Sequence, residues 1–198
     1  SEGWLRLTFG DALDAWNSTG WQACDVEIDA AERGKLRTSE GNSALVNLGG
    51  PPPSPYVSEH VFGDARVHVE FMLPEQGNSG VYVMGRYELQ LLDSSGQENP
   101  GFGDCGGIYR GANWPGAAPA QNAFREPGEW HDLDIVFEAP RFDADGRKSR
   151  HARFVRVLID DVLLHENVEV PEPTLGALFA DEGPSGPLML QGDHSPVA

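Results

Sequence analysis

Residues 65–73 read Ala-Arg-Val-His-Val-Glu-Phe-Met-Leu, and this stretch decides the fold class. Apolar and polar side chains alternate along most of it. Because successive side chains of a β-strand point to opposite faces, we predict that Val67 and Val69 enter a core while His68 and Glu70 face away from it. A proline follows the stretch directly and ends the strand. The pattern therefore predicts a strand with one buried face and one polar face.

Turn residues divide the rest of the chain into similarly short apolar segments. The 198 residues include 24 glycines and 15 prolines, a density that long helices do not tolerate but that the turns of all-β proteins require. Helix is expected only as a turn or two near residues 11–16. The length suits one domain, since chains usually divide only beyond about 250 residues. We therefore predict a single all-β sandwich domain over residues 1–198.

Two strand pairs give this sandwich its outline. The strand at 65–73 is expected to form a hairpin with the segment that follows the next Gly-Asn turn, which begins at 81–84 and continues as 86–93. A second pair is expected at 130–138 and 151–160, joined by a polar segment with an Asp-Gly turn signal. The sheets are thus predicted to be antiparallel.

Two stretches without periodicity are predicted to be long loops, at 49–55 and 95–129. The second contains eight glycines and four prolines. A loop of that length is unusual in a compact domain unless it has a role. It either walls a binding cleft or is a surface ornament, and the sequence leaves both alternatives open.

Charge and hydropathy narrow the classes of partner. Fourteen basic and 31 acidic residues give a net charge of −17, which repels polyanions and anionic membranes. We therefore expect no nucleic-acid partner. No run approaches the roughly 20 apolar residues needed to cross a bilayer, so no membrane span is predicted. Two cysteines, Cys24 and Cys105, either form a disulfide or remain as two buried thiols.

The segment 85–93 carries the residues of greatest chemical interest. Alternation places Arg86, Glu88 and Gln90 on one face of a strand. Such a row suits a shallow polar groove that binds sugars. An antiparallel sheet also commonly leaves one face solvated, so alternation by itself does not distinguish a groove from an ordinary exposed face.

Several sequence motifs, in order, distinguish the two. They are Val-Ser-Glu-His-Val-Phe-Gly-Asp (57–64), Val-Glu-Phe-Met-Leu-Pro (69–74), Gly-Asn-Ser-Gly-Val-Tyr (77–82), Arg-Tyr-Glu-Leu-Gln-Leu-Leu-Asp-Ser (86–94), Gly-Ile-Tyr (107–109), Pro-Gly-Glu-Trp (127–130) and Leu-Gln-Gly-Asp-His-Ser-Pro-Val (190–197). Together they resemble the 3-keto-disaccharide hydrolase domain family. The combination covers most of the chain and is specific, although each motif alone is weak.

This resemblance implies a fold, an activity and a location. The implied fold is a concanavalin/LamG-like jelly-roll β-sandwich of two antiparallel sheets with long loops, whose concave sheet carries the active site. Family members with characterised activity act on glycosides oxidised at C3 of the sugar, and the family is largely exported in bacteria. An extracellular or periplasmic location and a carbohydrate substrate are therefore implied, although fold alone does not settle activity.

The resemblance also assigns candidate site residues, by matched position. The candidate catalytic residues are Glu88, Gln90 and His194. The candidate substrate-binding residues are Glu70, Asn78, Arg86, Asp93, Tyr109 and Gln191, and Trp114 is added as a loop aromatic that could stack on a sugar ring.

The chain departs from the family pattern at two places near its C-terminus. The family reads Leu-Gln-Asp-His-Gly where this chain has a glycine between Gln191 and Asp193, so His194 is expected to shift from its family position. The family also continues into a last strand after Pro-Val, whereas this sequence ends at Ala198. We therefore expect a domain that lacks a final strand, with an open sheet edge through which an oligomer could form.

The implied substrate suggests an elimination. A ketone at C3 acidifies the hydrogen at C2, so a base can form an enolate that expels the substituent at C1. This chemistry needs a base, a group or divalent metal ion that stabilises the enolate oxygen, and an acid for the leaving oxygen. We expect Glu88 to be the base or a metal ligand, Gln90 and Asn78 to orient the sugar, and His194 to be an acid, a base or a metal ligand.

Other functions remain open from the sequence. Direct hydrolysis by two carboxylates would have to use Glu70 and Glu88 on neighbouring strands. A non-catalytic carbohydrate-binding module would use the same sheet without a base. An exported structural or assembly subunit would use the open edge. The leading prediction is an enzyme that cleaves 3-keto-glycosides, by elimination followed by hydration or by hydrolysis.

Overall fold

A computed structural model describes residues 5, 7, 16–17, 20–49 and 55–198. Strands and irregular segments make up this part of the chain, which contains no helix and therefore none that could span a membrane. The helix expected near residues 11–16 falls outside the described residues except at Trp16, which begins a strand. Of the predicted loop at 49–55, residues 50–54 likewise lie outside them.

Thirteen strands are present among the described residues. They are β1 (Trp16–Asn17), β2 (Trp21–Ile28), β3 (Leu36–Asn47), β4 (Tyr56–Phe62), β5 (Ala65–Met72), β6 (Asn78–Val83), β7 (Tyr87–Leu92), β8 (Trp130–Glu138), β9 (Arg141–Phe142), β10 (Lys148–Arg150), β11 (Ala152–Ile159), β12 (Val162–Val170) and β13 (Gly186–Leu190).

Two antiparallel sheets form the sandwich. The five-stranded sheet has the order β1-β4-β13-β6-β7, and the four-stranded sheet has the order β12-β11-β8-β5. Two further hairpins, β2-β3 and β9-β10, stand beside them. The predicted pairing of 130–138 with 151–160 is confirmed, because β8 and β11 are antiparallel neighbours. The all-β sandwich prediction is confirmed as well.

The core fills the space between the two sheets. Leu89 of the five-stranded sheet and Leu133 of the four-stranded sheet are completely buried. The Tyr87 ring lies 5.4 Å from the Phe137 ring, which in turn lies 5.2 Å from Phe154, so aromatic side chains link the two layers. The alternation read from the sequence therefore identified the core faces of β5 and β7 correctly.

The predicted hairpin between 65–73 and the following segment is wrong. β5 pairs with β8 in the four-stranded sheet, whereas β6 pairs with β7 in the five-stranded sheet. The turn after β5 carries the chain from one layer to the other. The alternation of side chains along β5 is the same whether it pairs with β6 or with β8. It therefore cannot predict the pairing, because backbone hydrogen bonds form with whichever strand is adjacent in space.

Two irregular segments cover the outer edge of β7. In the long loop, residues 95–129, the amide of Tyr109 donates a hydrogen bond to the Glu88 carbonyl (3.1 Å), and Gln90 exchanges backbone hydrogen bonds with residues 106 and 107. In the cover loop, residues 171–185, the amide of Thr174 donates to the carbonyl of Arg86 (2.9 Å). This packing supports a wall role for the long loop.

The end of the chain is paired with its neighbours. Val197 exchanges backbone hydrogen bonds with Asn47, and Ala198 does so with Met72. β13, the last strand, lies between β4 and β6 inside the five-stranded sheet rather than at its edge. Cys24 and Cys105 are both free and buried, which corresponds to the thiol alternative.

Candidate functional site

The register of β6 and β7 gathers polar groups on the side of the five-stranded sheet that faces away from the core. Tyr82 lies opposite Glu88, and Gly80 lies opposite Gln90. Directly opposed residues of an antiparallel pair share a face. Together with Asn78, two residues before Gly80, these residues form what we call the Glu88 face. The row of polar side chains predicted for this strand is therefore present at Glu88 and Gln90.

Glu88 is almost completely buried, with 2% of its surface exposed. Burial raises the pKa of its carboxyl group to about 8, because a charged carboxylate is costly where water is excluded. A hydrogen bond from the Tyr82 hydroxyl opposes this shift, and the nearby charge of Asp193 adds to it. Burial likewise raises the pKa of Tyr82, so the phenol remains a proton donor to Glu88.

Glycine at position 80 leaves room for the Glu88 side chain. A Cβ atom at Gly80 would lie 2.5 Å from Glu88 Oε1, well inside van der Waals contact. The carboxylate therefore lies across the backbone of the neighbouring strand. This position places it in the middle of the Glu88 face rather than at the edge of the sheet.

Several buried oxygen atoms around the site accept no hydrogen bond. They belong to Asn78 (Oδ1), Gln90 (Oε1), Gln191 (Oε1) and Asp193 (Oδ1). A buried polar atom without a partner costs about 1–3 kcal/mol, so such atoms are uncommon in native proteins. Gln90 is only 7% exposed, which shows how deeply one of them is placed. Ligand hydroxyl groups could satisfy these acceptors.

The cover loop closes one side of the site. The Thr174 hydroxyl accepts a hydrogen bond from the Glu88 amide (3.1 Å) and donates one to the Arg86 carbonyl (3.0 Å). A Cβ atom at Gly176 would lie 2.8 Å from the Tyr82 hydroxyl, so this glycine allows the loop to approach the phenol. The cover loop thus excludes water from Tyr82 and Glu88.

The segment after β13 closes another side of the site. The Gln191 amide donates to the Gly80 carbonyl (2.9 Å), and the Ser195 hydroxyl accepts from the Asn78 amide (2.5 Å). Asp193 lies between these two anchors. His194 projects outward with half of its side chain exposed, and its Nε2 lies 3.7 Å from Asp193 Oδ1.

Two predicted site residues, Arg86 and Asp93, make other contacts instead. The Arg86 guanidinium binds the carbonyls of Asp181 (2.5 Å) and Ser185 (3.2 Å), and lies 4.6 Å from the centre of the Phe179 ring. It therefore holds the cover loop instead of pointing along the Glu88 face. The Asp93 carboxylate accepts hydrogen bonds from the backbone amides of Gln76 and Ser95, as turn aspartates commonly do.

The predicted proximity of Glu70 to Glu88 is wrong. Glu70 lies on the outer face of the four-stranded sheet, 70% of its side chain is exposed, and it is next to His68. The two carboxylates belong to opposite layers of the sandwich because β5 and β6 lie in different sheets. The carboxylate pair that direct hydrolysis would have used is therefore not formed.

The two aromatic candidates lie in the long loop. Tyr109 is half-buried, packs edge-on against Phe102 with ring centres 5.4 Å apart, and contributes to the electrostatic environment of Tyr82. It therefore lies near the Glu88 face. Trp114 packs against the main hydrophobic core, and its amide donates to Glu172. Its indole is partly buried in the wall that the long loop forms.

A divalent metal ion is one of the alternatives that the sequence leaves open for stabilising the enolate, with Glu88 and His194 as the candidate ligands. Among the residues that the structure describes, one group of three ionisable side chains has ligand atoms within 4.8 Å of one another: His68, Glu70 and Asp132, on the outer face of the four-stranded sheet. Glu88 and His194 belong to no such group. Glu88 and His194 thus form no three-ligand set with another described side chain, and a metal ion bound by them remains a prediction.

The sequence reasoning did not single out Tyr82 or Asp193. The signal for Tyr82 was its strand position, two residues from Gly80 on the face that Asn78 shares. No local pattern indicated Asp193, because the chain is irregular after β13 ends at Leu190 and the period of two holds only along a strand.

Comparisons with known proteins agree with this architecture. No curated protein matches the chain. A candidate glycosyl hydrolase from Parabacteroides distasonis ATCC 8503 superposes with a TM-score of 0.69 at 23% identity, covering 93% of this chain and 75% of that one. A second candidate glycosyl hydrolase from the same organism has a TM-score of 0.60 at 18% identity, covering 97% and 93%. These similarities show the fold.

The family follows from the sequence profile that matches. The profile of the 3-keto-alpha-glucoside-1,2-lyase-like domain covers residues 3–198, essentially the whole chain. Its match includes both strands of the Glu88 face and the segment that carries Asp193. The resemblance identified from the motifs is confirmed, and the chain belongs to the 3-keto-alpha-glucoside-1,2-lyase-like domain family.

Proposed function

We propose that the protein cleaves 3-keto-glycosides by elimination, with Glu88 as the base. The observation that carries the proposal is a buried carboxylate of raised pKa on a face with several unpaired hydrogen-bond acceptors. Perturbed acids in such surroundings are typical of functional sites. The family to which the chain belongs and the names of its structural neighbours also concern carbohydrates.

The reaction conserves atoms and electrons within the sugar. Glu88 takes the proton from C2, which the C3 ketone has acidified. The C2–H electron pair then forms an enolate between C2 and C3. As the C3 ketone re-forms, a C1–C2 double bond is made and the bond from C1 to the leaving oxygen breaks. That oxygen receives a proton, for which His194 at the rim is the proposed donor. Hydration of the double bond would complete a net hydrolysis.

The raised pKa suits this role. An ordinary carboxylate is a weak base, whereas one with a pKa of about 8 binds a proton more strongly and is still partly ionised near neutral pH. The Tyr82 hydroxyl holds the carboxylate in place through its hydrogen bond. The low polarity around Glu88 therefore increases the basicity of its carboxylate, and the hydrogen bond from Tyr82 fixes the orientation of that carboxylate.

The amide side chains of the site are proposed to orient the sugar. Gln90 and Asn78 each present a buried oxygen without a partner, and each amide also carries donor hydrogens. Gln90 lies two residues from Glu88 on the same face of β7. A sugar hydroxyl that binds there would lie next to the base, as an elimination requires.

The test uses 3-keto-trehalose or a 3-keto-glucoside, with and without added divalent metal. We expect turnover by the wild-type protein and a loss of about 10²- to 10⁴-fold in the Glu88→Gln variant, the usual contribution of a general base. Glu70→Gln, a matched change on the other sheet, is expected to keep full activity. Absence of turnover, or full activity in Glu88→Gln, would count against the proposal.

The pH dependence separates a base from an acid. If Glu88 acts as the base, kcat/KM rises with pH and levels off above about pH 8, where the carboxyl group has lost its proton. A profile that falls through this pH would instead assign Glu88 as a proton donor and would contradict the role proposed here.

A non-catalytic carbohydrate-binding module is the second candidate. The unpaired acceptors favour it equally, since a binding site needs them and needs no base. Calorimetry with unoxidised oligosaccharides, together with product analysis, distinguishes the two. Binding without product formation on any 3-keto-glycoside would favour the module.

A further inference from the structure

The segment between Gln191 and Ser195 carries two neighbouring ionisable side chains, Asp193 and His194, which differ in exposure. Gln191 and Ser195 are both anchored to β6, the first at Gly80 and the second at Asn78. Ser79 adds a hydrogen bond from its hydroxyl to the carbonyl of Gln191 (2.7 Å). The backbone on either side of Asp193 is therefore held against the Glu88 face.

Asp193 faces inward from this segment. Its charge acts on both Glu88 and Tyr82, raising the pKa of each, so its carboxylate is directed toward the same cluster. Its Oδ1 is buried and accepts no hydrogen bond. His194, the next residue, has half of its side chain in solvent. His194 is thus the more exposed of the two neighbours, with its Nε2 3.7 Å from Asp193 Oδ1.

A deeply buried neighbour supports a ligand at this place. Gln90, more than nine-tenths buried, also has an unpaired oxygen, and it lies on the same face as Glu88. The charge of Asp193 disfavours the ionised form of Glu88, and a hydrogen-bond donor beside Asp193 would offset this repulsion. Hydroxyl groups of a bound molecule would supply donors to these unpaired oxygens.

We propose that Asp193, rather than His194, is the residue of this segment that contacts the sugar, accepting a hydrogen bond from a hydroxyl group and fixing the ring beside Glu88. This inference rests on the function proposed above. His194 Nε2 lies 3.7 Å from Asp193 Oδ1, beyond hydrogen-bond distance, and the guanidinium of Arg86 is bound to the cover loop, so neither side chain donates a hydrogen bond to this carboxylate oxygen. A neutral, hydroxyl-rich ring fits a pocket that is lined with acceptors and two acids.

Four variants test the assignment on a 3-keto-glucoside: Asp193→Ala, Asp193→Asn, His194→Ala and, as a surface control, Asp145→Ala, whose side chain is 71% exposed. We expect Asp193→Ala to raise KM about 10- to 100-fold, the value of a hydrogen bond to a charged acceptor. Asp193→Asn keeps an acceptor oxygen and should raise KM less. His194→Ala should also raise KM less than Asp193→Ala, and Asp145→Ala should not change it.

Thermal unfolding of the same variants distinguishes binding from a structural role. Asp193 Oδ1 accepts no hydrogen bond, and its ion pair with the half-exposed His194 is worth about 0–1 kcal/mol, so Asp193→Ala should change Tm by no more than about 4 °C. A KM within twofold of wild type in Asp193→Ala, or a KM effect in His194→Ala as large as the one expected for Asp193→Ala, overturns the proposal. A large fall in Tm together with the KM effect overturns it too, because the residue would then be structural.

The same experiments distinguish failure of the Asp193 proposal from failure of the proposed enzymatic function. If Asp193→Ala behaves like wild type while Glu88→Gln is inactive, the Asp193 proposal fails and the function stands. If the wild-type protein turns over no 3-keto sugar, calorimetry with unoxidised disaccharides takes the place of kinetics. A loss of affinity in Asp193→Ala then supports the contact, whereas equal affinity, or no binding to wild type, overturns it.

Discussion

Each of the two sheets has a polar outer face, and the faces differ in what their polar groups contact. On the four-stranded sheet, His68 Nδ1 lies 2.9 Å from Asp134 Oδ1, and the surrounding acids are about half exposed. On the five-stranded sheet, Glu88 is buried and nearby acceptors have no partner. Water solvates the first face, whereas two loops remove it from the second.

This difference shows that the alternation of polar and apolar side chains along a strand does not identify a functional site. β5 and β7 have the same period of two, and both place a glutamate on the polar side, Glu70 and Glu88. Only β7 is covered on that side, by the long loop and the cover loop. Burial changes the chemistry of the carboxyl group, and the covering segments lie tens of residues away in the sequence.

The largest expected effect concerns stability and pH. Glu88 has a pKa of about 8 in the folded protein and an ordinary value of 4.5. Between these values the unfolded chain releases a proton that the folded protein retains, so stability falls as pH rises and the full cost, on the order of 5 kcal/mol, is present above pH 8. Glu88→Gln should therefore gain free energy of unfolding relative to wild type from pH 4.5 to 9.

Urea unfolding at several pH values measures this effect. The matched change Glu70→Gln on the exposed face should alter the free energy of unfolding by less than about 0.5 kcal/mol at every pH. A Glu88→Gln variant whose difference from wild type does not change with pH would show that the two glutamates have equivalent surroundings, and the comparison would fail.

A smaller effect is expected from the space around the carboxylate. In Gly80→Ala the new methyl group meets Glu88 Oε1, the mobile end of a side chain, so the carboxylate should move with a stability loss of only about 1 kcal/mol. Displacement of the base should lower kcat about tenfold or more. Kinetics and thermal unfolding together check this expectation.

Gly101→Ala is the control for that variant, since a Cβ there meets nothing closer than 3.7 Å. It should leave kcat unchanged. Unaltered kcat in Gly80→Ala would mean that the position of the Glu88 carboxylate does not matter for turnover.

The smallest effect is expected on the four-stranded sheet. His68→Ala removes contacts with Asp134 and Asp132 in solvent, where ion pairs contribute about 0–1 kcal/mol. Stability should change within that range and activity should not change. Chemical denaturation checks the first point. A loss above 2 kcal/mol would indicate that this face is as tightly coupled to the fold as the Glu88 face.

Local patterns predicted much of the fold and part of the site. The alternation at 65–73 and 85–93 gave the core side of both strands, and the motif match gave Glu88, Gln90 and the family. Partner choice between strands was not predictable, because the backbone of β5 can pair with any adjacent strand. This is why Glu70 was expected beside Glu88 and lies instead on the opposite layer.

The C-terminal segment shows the same limit at the level of single residues. The motif directed attention to His194, whereas the two anchors at Gln191 and Ser195 direct Asp193 inward. In an irregular segment such as this one, backbone hydrogen bonds to a neighbouring strand position the side chains between them, and a motif does not reveal those bonds. Arg86 shows the same limit, since the carbonyls that bind its guanidinium lie about a hundred residues later in the sequence.

The sequence by itself determined that this chain forms β-strands, which side of each strand is apolar, and to which family it belongs. These properties depend on the period of two along the backbone and on short motifs, and both are local. The tertiary structure alone decided which polar face is covered, how far the pKa of Glu88 rises, and which acids meet. Those outcomes depend on exclusion of water by distant segments, and desolvation is a property of the assembled fold.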